Sequence, residues 1–400
     1  MIERLYYTDT TMRVFDAQIV GCEARGKRFA TRLDRTAFYP GGGGQLCDLG
    51  TLSAAGVAAR VVETLPEGEE IVHLLDRALP AGVVHGELDW ARRSDLSQQH
   101  TGQHILSQAF YTLCHIETIS VHMTADNCTL DLPRQIGLED QHRAEELANR
   151  IVQADRPVIA KFVADEELAR MPLRKPPAAK HSQIRIVEVG GFDWSACGGT
   201  HVQTTGALGL IKIIRSERRG EEQRIEFMCG MRALLDYRQK NQTVAALAAQ
   251  LGVKHTDLAD AAQKLSDEAR ETRRALHMAR AQLLDAEAEE LWAAAANGPL
   301  RLVQHVLEGR SLDEARQLAT RLKERPATVV LFALASDKPN LLFARSPDAQ
   351  GDMGKLLREV TAAFGGRGGG QPEMAQGGVA SGSDLHKALQ MAAGTLRHTG

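Results

Sequence analysis

Alternation of hydrophobic and polar positions over the first 89 residues predicts a β-rich domain. Segments such as RFATRL and GTLSAAGVAARVVET follow the two-residue period of a half-buried strand. Glycine and proline clusters at positions 41–44, 66–68 and 80–82 separate these segments, and such clusters are typical of turns. We therefore expect residues 1–89 to form a small domain of short strands.

Helical and strand patterns are mixed between residues 90 and 230 and predict an α+β domain. A helix is expected to be capped by Ser94 or Asp95 and to run towards Tyr111. A second helix is predicted in GLEDQHRAEELANRIVQAD, and strands are predicted in CTLDL, GLIKIIRSERR and EQRIEFMC.

Residues 231–296 contain no proline and predict a long helical segment. Small or apolar residues recur there every seven positions in two sets, which predicts a seam along a helix. The sets are Leu258, Leu265, Thr272, Ala279 and Ala286, and Ala262, Ala269, Leu276 and Leu283. Gly252 interrupts the pattern ahead of the seam. The sequence leaves open whether two helices pack as an antiparallel hairpin or whether the seam joins two copies of the chain.

Residues 297–400 predict a small α/β domain of their own, beginning where Asn297 and Pro299 break the helix. The pattern then indicates strand (LRLVQHV), helix (SLDEARQLATRLKE), strand (ATVVLFALA), strand (NLLFARS) and helix (GDMGKLLREVTAAF). A glycine-rich loop follows. The predicted fold class is therefore α+β with several domains.

Composition narrows the functional classes without selecting one. The 400 residues are 43% hydrophobic and 25% charged, as expected for a globular chain of several domains. Charged residues occupy the first positions, where a secretory signal needs an apolar stretch, so we expect a cytoplasmic protein without membrane segments. The six scattered cysteines indicate reduced thiols. A net charge of −3 gives no overall signature of nucleic-acid binding.

The strongest chemical signal is a pair of motifs, His100-Thr-Gly-Gln-His104 and Cys197-Gly-Gly-Thr-His201. On a helix, residues four apart share one face, so both imidazoles can reach one ion. Two glycines let the second motif turn tightly and bring a thiolate and an imidazole together. Three histidines and one cysteine form a borderline-soft donor set that suits zinc. Because four protein ligands close a tetrahedral site, a purely structural zinc remains an alternative.

These two motifs resemble the paired zinc motif of the alanyl-tRNA synthetase editing domain and of its freestanding relatives, the AlaX proteins. The run from Thr36 to Gln45, TAFYPGGGGQ, resembles the glycine-rich segment of the N-terminal barrel in these proteins. Residues 365–378, GGRGGGQPEMAQGG, are similar to the signature of the C-terminal DHHA1 domain. The resemblance covers nearly the whole chain in the order barrel, editing domain, helical segment and DHHA1 domain.

The resemblance implies the long form of AlaX, because the chain begins at the barrel and lacks an aminoacylation domain. It implies hydrolysis of mischarged Ser-tRNA and Gly-tRNA of the alanine type, with tRNA as the partner and zinc as the cofactor. A pocket made for alanine cannot exclude glycine or strongly reject serine, so a second site must remove such errors. The alternative is a non-catalytic, zinc-stabilised tRNA-binding protein. A phosphoesterase is disfavoured because no Asp-His-His motif occurs.

Roles carry over residue by residue as expectations. The implied zinc ligands, which are also the catalytic group, are His100, His104, Cys197 and His201. The implied substrate contacts are Thr36, Gly42, Gly43, Gly44, Gln45 and His122. The implied RNA contacts are Arg367, Gly368, Gly369 and Gly370. A homodimer through the helical segment or the C-terminal domain is a further expectation.

Overall fold

The fold was taken from a computed structural model, which describes residues 2–175, 184–295, 298 and 300–398. The chain divides into two compact units, Met1–Leu247 and Ala248–Gly400. The architecture is α+β with several domains, as the sequence predicts. The predicted helix break at Asn297 and Pro299 lies outside the described residues.

Six antiparallel strands close into a barrel at the start of the first unit, in the order β2-β3-β7-β6-β5-β8. Alternate residues of these strands point inwards and bury apolar side chains such as Phe15, Leu33 and Leu75. Two further short strands, β1 and β4, pair in parallel. The strands are β1 (Glu3–Arg4), β2 (Val14–Arg25), β3 (Arg28–Leu33), β4 (Arg35–Thr36), β5 (Gly50–Ala54), β6 (Val57–Glu67), β7 (Glu70–Leu75) and β8 (Val83–Leu88).

The rest of the first unit is an α+β domain in which two helices pack on a four-stranded sheet, β14-β15-β10-β9. A three-stranded sheet, β11-β12-β13, lies in the same unit. The elements are α1 (Trp90–Cys114), β9 (Ser120–Met123), β10 (Cys128–Leu132), α2 (Leu138–Gln153), β11 (Val158–Val163), α3 (Asp165–Leu168), β12 (Ile184–Val189), β13 (Asp193–Ala196), β14 (Ile211–Arg219), β15 (Glu222–Cys229) and α4 (Gly230–Leu251). The predicted helices and strands of this region are confirmed.

The start of α1 differs from the prediction. Its cap is Asp89, whose side chain accepts a hydrogen bond from the Arg92 backbone N–H at 3.1 Å. Asp95 lies inside the helix instead, where its carboxylate binds the Arg232 guanidinium at 2.8 Å. Asp95 is therefore paired with Arg232 and does not cap the helix. This partner is distant in the sequence, so only the tertiary structure shows it.

The second unit is a five-stranded sheet, β16-β17-β18-β20-β19, with helices on both faces. Strand β17 is apolar after its first residue, Thr328, because α5 and α6 cover one face and α7 and α8 cover the other. The elements are α5 (Leu258–Ala294), β16 (Arg301–Glu308), α6 (Leu312–Lys323), β17 (Thr328–Ala335), β18 (Asn340–Arg345), α7 (Met353–Ala363), β19 (Arg367–Gln371), β20 (Met374–Gly378) and α8 (Leu385–His398). The five predicted elements before the glycine-rich segment are confirmed, and α8 was not predicted.

The glycine-rich segment of this unit is a β-hairpin, so the predicted loop is wrong. Gly368 and Gly377 face each other across β19 and β20, and a Cβ added to Gly368 would lie 2.7 Å from the Gly377 Cα. The same Cβ would lie 2.9 Å from the Leu357 side chain of α7. These glycines therefore permit close packing of two strands and a helix.

The predicted seam on α5 is largely exposed within its unit. Leu265, Leu276 and Leu283 are 55%, 51% and 69% exposed, whereas Leu284 and Ala288 pack into the core with α6. Whether the seam joins another helix or another copy stays a prediction. Among the described helices, none combines the length and apolar content needed to cross a bilayer.

Candidate metal centre

Helix α1 presents His100 and His104 on one face because the two residues are separated by one helical turn. The buried residues Ile105, Leu106 and Phe110 anchor the helix in the core of the first unit. Gly102 lets the helix approach β15 closely, since an added Cβ would lie 2.2 Å from the Cys229 sulfur. The HTGQH motif thus combines two ligands with a packing glycine.

The second motif forms a tight turn immediately after β13. Gly199 crosses directly over His100, because an added Cβ would lie 2.2 Å from the His100 ring carbon Cε1. The buried Arg185 guanidinium donates through Nη1 to the carbonyl oxygens of Cys197 and Gly199 at 2.8 and 2.9 Å. This arginine fixes the turn that carries Cys197.

The two motifs meet at one point. Potential ligand atoms of His100, His104, Cys197 and His201 all lie within 4.8 Å of one another. The Cys197 sulfur lies 3.4 Å from the His100 Nε2 and 3.3 Å from the His201 Nε2. The structure therefore brings together the four ligands that the sequence predicts, in a cluster that can hold a metal ion.

Each histidine of this cluster is held by its Nδ1 atom. The Nδ1 atoms of His100 and His104 lie 2.8 Å from the Gln45 Oε1 and 3.0 Å from the Asp193 Oδ2. The His201 Nδ1 lies 3.1 Å from the Thr101 hydroxyl oxygen. That hydroxyl donates its own hydrogen to a backbone carbonyl, so the His201 Nδ1–H is the donor. Hydrogen on each Nδ1 leaves the Nε2 lone pair for a metal.

The environment of the cluster favours ligand forms at most of its members. Burial and the neighbouring His100 lower the pKa of His201 to about 3, which keeps this imidazole neutral. Burial opposes ionisation of Cys197, but His100 and His201 outweigh it and hold the pKa of the thiol well below its usual range. Burial would lower the pKa of His104, whereas Asp193 and Cys197 raise it to about 9. Metal binding at His104 therefore releases a proton.

A cavity of about 590 Å³ opens onto this cluster. Three of the four ligands, His100, His104 and Cys197, line it, so a bound metal would border the cavity. Most other lining residues are aromatic, cationic or small, and they include Tyr6, Tyr7, Tyr39, Arg4, Arg174, Lys175, Gly41, Gly42, Gly43 and Ser195. Gln103 and Val121 also line the cavity. The cavity thus combines cationic and aromatic side chains with a potential metal site.

One wall of the cavity is a tight turn formed by Gly42, Gly43, Gly44 and Gln45. The backbone N–H of Gly42 donates to the Gln45 carbonyl, and the Gln45 N–H donates back to Gly42, both at 3.0 Å. Gly43 and Gly44 have φ of 57° and 88°, the values of a type I′ turn, which glycine adopts without strain. Side-chain-free Gly42 and Gly43 form the surface that faces the cavity.

We expect Gly44→Ala to lower the free energy of unfolding by about 1–3 kcal/mol. The left-handed φ disfavours a side chain, and an added Cβ would lie 2.9 Å from the Val121 carbonyl oxygen. Urea unfolding of the full chain measures the change. The matched control is Gly26→Ala, whose φ of 64° is similar but whose Cβ would meet no atom within 4 Å. An equal loss in both variants would contradict the proposed collision.

Four of the predicted substrate contacts do not line the cavity: Thr36, Gly44, Gln45 and His122. Thr36 is fully buried, and its hydroxyl lies 2.8 Å from the His73 Nε2 in the barrel interior. His122 is exposed on β9, where the alternation of the strand turns Val121 towards the cavity instead. Gln45 lies beneath the cavity wall and contacts His100. The geometry gives no support to Thr36 and His122 as substrate contacts.

Sequence reasoning missed several residues that shape the centre. Asp193 is buried, binds His104 and lies 3.3 Å from the Arg174 Nε. Its position four residues before Cys197 was a usable signal, because histidine ligands commonly donate to a carboxylate. Arg185 had no such signal, since a lone arginine within the apolar strand IRIVEV becomes informative only when its carbonyl partners are known.

The predicted RNA contacts lie together on the edge strand β19 of the second unit. Arg367 is exposed there, and Gly369 and Gly370 line a surface cavity of about 400 Å³ with Arg316 and Lys323. Arg345, a further basic residue at the end of β18, donates to the carbonyl oxygens of Ser346 and Ala349 in the following loop. Gly368 faces Gly377 and serves strand packing.

Comparison with known proteins gives two family matches. Residues 184–226 match the threonyl and alanyl tRNA synthetase second additional domain, and residues 301–398 match the DHHA1 domain. The alanyl-tRNA editing protein AlaX-L of Pyrococcus horikoshii is 31% identical, covering 95% of this chain and 95% of that protein. The chain belongs to the AlaX-L family of alanyl-tRNA editing proteins.

Alanine–tRNA ligases are similar over part of their length only. The ligase of Pyrococcus furiosus is 30% identical over 98% of this chain and 43% of the ligase. The ligase of Pyrobaculum neutrophilum is 34% identical over 93% of this chain and 42% of the ligase. The chain therefore spans less than half the length of these ligases, whereas it matches the AlaX-L protein nearly from end to end.

Proposed function

We propose that the chain hydrolyses the ester of Ser-tRNA and Gly-tRNA of the alanine type in a zinc-dependent reaction. The observation that carries the proposal is that three members of the metal-binding cluster line an open cavity. A metal that only stabilises the fold would not require a cavity beside its ligands. Membership in a family of alanyl-tRNA editing proteins supports the same substrate class.

Zinc suits the three imidazoles and one thiolate. A bound zinc would either polarise the ester carbonyl and the attacking water or hold the amino group of the substrate. In the reaction, water attacks the ester carbonyl carbon, and the bond to the ribose oxygen of the terminal adenosine breaks. The proton from water passes to that ribose oxygen, giving free amino acid and tRNA. The Ser195 hydroxyl donates to Asp193 at 2.9 Å and is thereby occupied, which favours direct attack by water over a covalent intermediate.

The residues that line the cavity have separate proposed roles. Gly42 and Gly43 let an aminoacylated ribose approach closely because they carry no side chains. Lys175 lines the same cavity and provides positive charge for the phosphate that precedes the terminal adenosine, whereas the Arg174 charge is paired with Asp193. Gln103 of α1 also lines the cavity, where its amide donates to the Ser107 hydroxyl at 2.9 Å, and it adds a hydrogen-bonding group for the aminoacyl moiety.

The second unit is proposed to bind tRNA. Gly369 and Gly370 lie near Arg316 and Lys323, and Arg367 is exposed on the same strand, so this part of the unit combines cationic groups with accessible backbone. Such surfaces suit phosphate contacts, which position a nucleic acid without reading its sequence. The homodimer through the helical segment or this unit remains a proposal. We expect the activity in the cytoplasm.

The test is deacylation of Ser-tRNA, Gly-tRNA and Ala-tRNA of the alanine type by the full chain, before and after zinc removal. We expect fast release of serine or glycine, slow release of alanine, and loss of activity that zinc restores. Zinc binding without deacylation of any substrate would instead support the alternative, a non-catalytic tRNA-binding protein. The number of protein ligands supports that alternative, because four ligands fill a tetrahedral site and leave no open position for substrate.

A further inference from the structure

Gln45 connects the barrel strands to both metal-binding motifs. Its side chain is 3% exposed and lies between α1 and the turn after β13. The Oε1 atom lies 2.8 Å from the His100 Nδ1 and accepts from the Thr200 backbone N–H at 3.0 Å. The Nε2 atom donates to the Thr200 hydroxyl at 2.7 Å. One amide thus holds a ligand of the first motif and the backbone of the second.

The contacts also determine which way this amide points. A backbone N–H can only donate, so the atom that receives it from Thr200 must be the carbonyl oxygen of Gln45. The His100 Nδ1, which faces the same oxygen, must then carry hydrogen, and its Nε2 is left free towards Cys197. Gln45 therefore selects the His100 tautomer that can bind a metal.

The backbone of Gln45 closes the glycine turn that walls the cavity. Its N–H and C=O form the two reciprocal hydrogen bonds with Gly42. The turn is further held by the Tyr39 hydroxyl, which donates to the Gly42 carbonyl at 3.0 Å, and by the Met123 N–H, which donates to Gly44 at 3.2 Å. Side chain and backbone of one residue thus serve the metal cluster and the cavity wall.

We propose that Gln45 is a positioning residue that couples metal binding at His100 to the conformation of the glycine turn. A metal that fixes the His100 ring also fixes its hydrogen bond to Gln45, and thereby the end of the turn. Coupling of this kind is reciprocal, so an ordered turn also strengthens metal binding. The sequence resemblance instead gives Gln45 a role in contacting substrate. The inference depends on the proposed function in one respect only, which is the identity of the metal as zinc.

The first test measures zinc affinity of the full chain by competition with a chelator of known affinity. We expect Gln45→Ala to weaken zinc binding by about 10- to 100-fold, the usual cost of losing a group that orients a ligand. Gln45→Glu keeps an oxygen acceptor for His100 and the Thr200 N–H. We therefore expect Gln45→Glu to bind zinc within about threefold of the wild type.

Gln99→Ala is the matched control for these variants. Gln99 is also a fully buried glutamine on the same scaffold, but its amide bridges the backbone N–H and C=O of Cys229 at 2.9 and 3.0 Å. Its loss removes these two hydrogen bonds and a third to the Asp95 carboxylate, and none of the three involves a member of the metal-binding cluster. We expect a lower melting temperature for Gln99→Ala with unchanged zinc affinity of the folded protein.

The second test measures hydrogen exchange at residues 41–46 with and without zinc. We expect zinc to slow exchange in this segment in the wild type and in Gln45→Glu, and the effect to disappear in Gln45→Ala. Wild-type zinc affinity in Gln45→Ala would overturn the proposal, as would equal losses of affinity in Gln45→Ala and Gln99→Ala. Equal rates of hydrogen exchange at residues 41–46 with and without zinc in the wild type would also overturn it. None of these measurements depends on deacylation, so they fail or succeed independently of the proposed activity.

Discussion

Cys197→Ala is expected to abolish deacylation of mischarged tRNA together with high-affinity zinc binding. The Cys197 sulfur lies within 3.4 Å of two ligand nitrogens and lines the cavity. Changes to groups that merely orient ligands cost about 10- to 100-fold. Loss of a ligand should therefore cost more than about 100-fold in both quantities. Deacylation rates and zinc content, measured on the same preparation, test this expectation.

Cys114→Ala is the matched control for this experiment. Cys114 is also a partly buried free cysteine, but it lies at the far end of α1 and outside the metal cluster. It should retain zinc and activity. If Cys197→Ala lost zinc but kept the full deacylation rate, the metal would be structural and the proposed chemistry would be wrong. If it kept zinc at wild-type affinity, Cys197 would not be a ligand.

Arg93→Met is expected to cause the largest loss of stability, about 3–5 kcal/mol in the free energy of unfolding. Arg93 is fully buried at the join between barrel and α1, where its Nε donates to the Asp48 carboxylate at 2.9 Å. It also donates to the backbone carbonyls of Thr10 and Ala37. Methionine fills similar space but leaves a buried carboxylate without its cation.

Urea unfolding measures the loss in the free energy of unfolding. Hydrogen exchange at α1 shows separately whether this helix is destabilised. The control is Arg25→Met, which breaks an exposed, solvent-screened ion pair with Glu67 and should change stability far less than Arg93→Met does. The double variant Arg93→Met with Asp48→Asn removes both charges and should recover part of the loss. Equal effects of Arg93→Met and Arg25→Met would show that the buried pair contributes little.

The metal ligands were the most predictable part of the site. His100 and His104 share one helical face because they are four residues apart, and the glycines of the second motif predict a tight turn that brings Cys197 and His201 together. Either motif alone is a weak signal, and the two together predicted the cluster. These signals are local, because each motif is contained in five residues. The meeting of the two motifs, 97 residues apart at His100 and Cys197, was expected from donor chemistry and is confirmed by the structure.

The roles of the remaining site residues were less predictable because they depend on distant partners. Thr36 and Gln45 belong to one sequence segment, yet Thr36 turns into the barrel interior and Gln45 turns towards His100. Asp95 was expected to cap a helix and instead binds Arg232. The glycines near Arg367 were expected in a loop because glycine is common in loops. In the structure their lack of side chains serves close strand packing.

The sequence by itself determined the order of elements, the fold class, the four-residue metal cluster and the family resemblance, because each depends on spacing within short stretches. The tertiary structure decided which histidine nitrogens face the centre of the cluster, which glycines face the cavity, and that Gln45, Asp193 and Arg185 support the cluster. These properties depend on hydrogen bonds between residues far apart in the chain. Hydrophobic and polar patterns record whether a side chain is buried, but they do not record the partner against which it is buried.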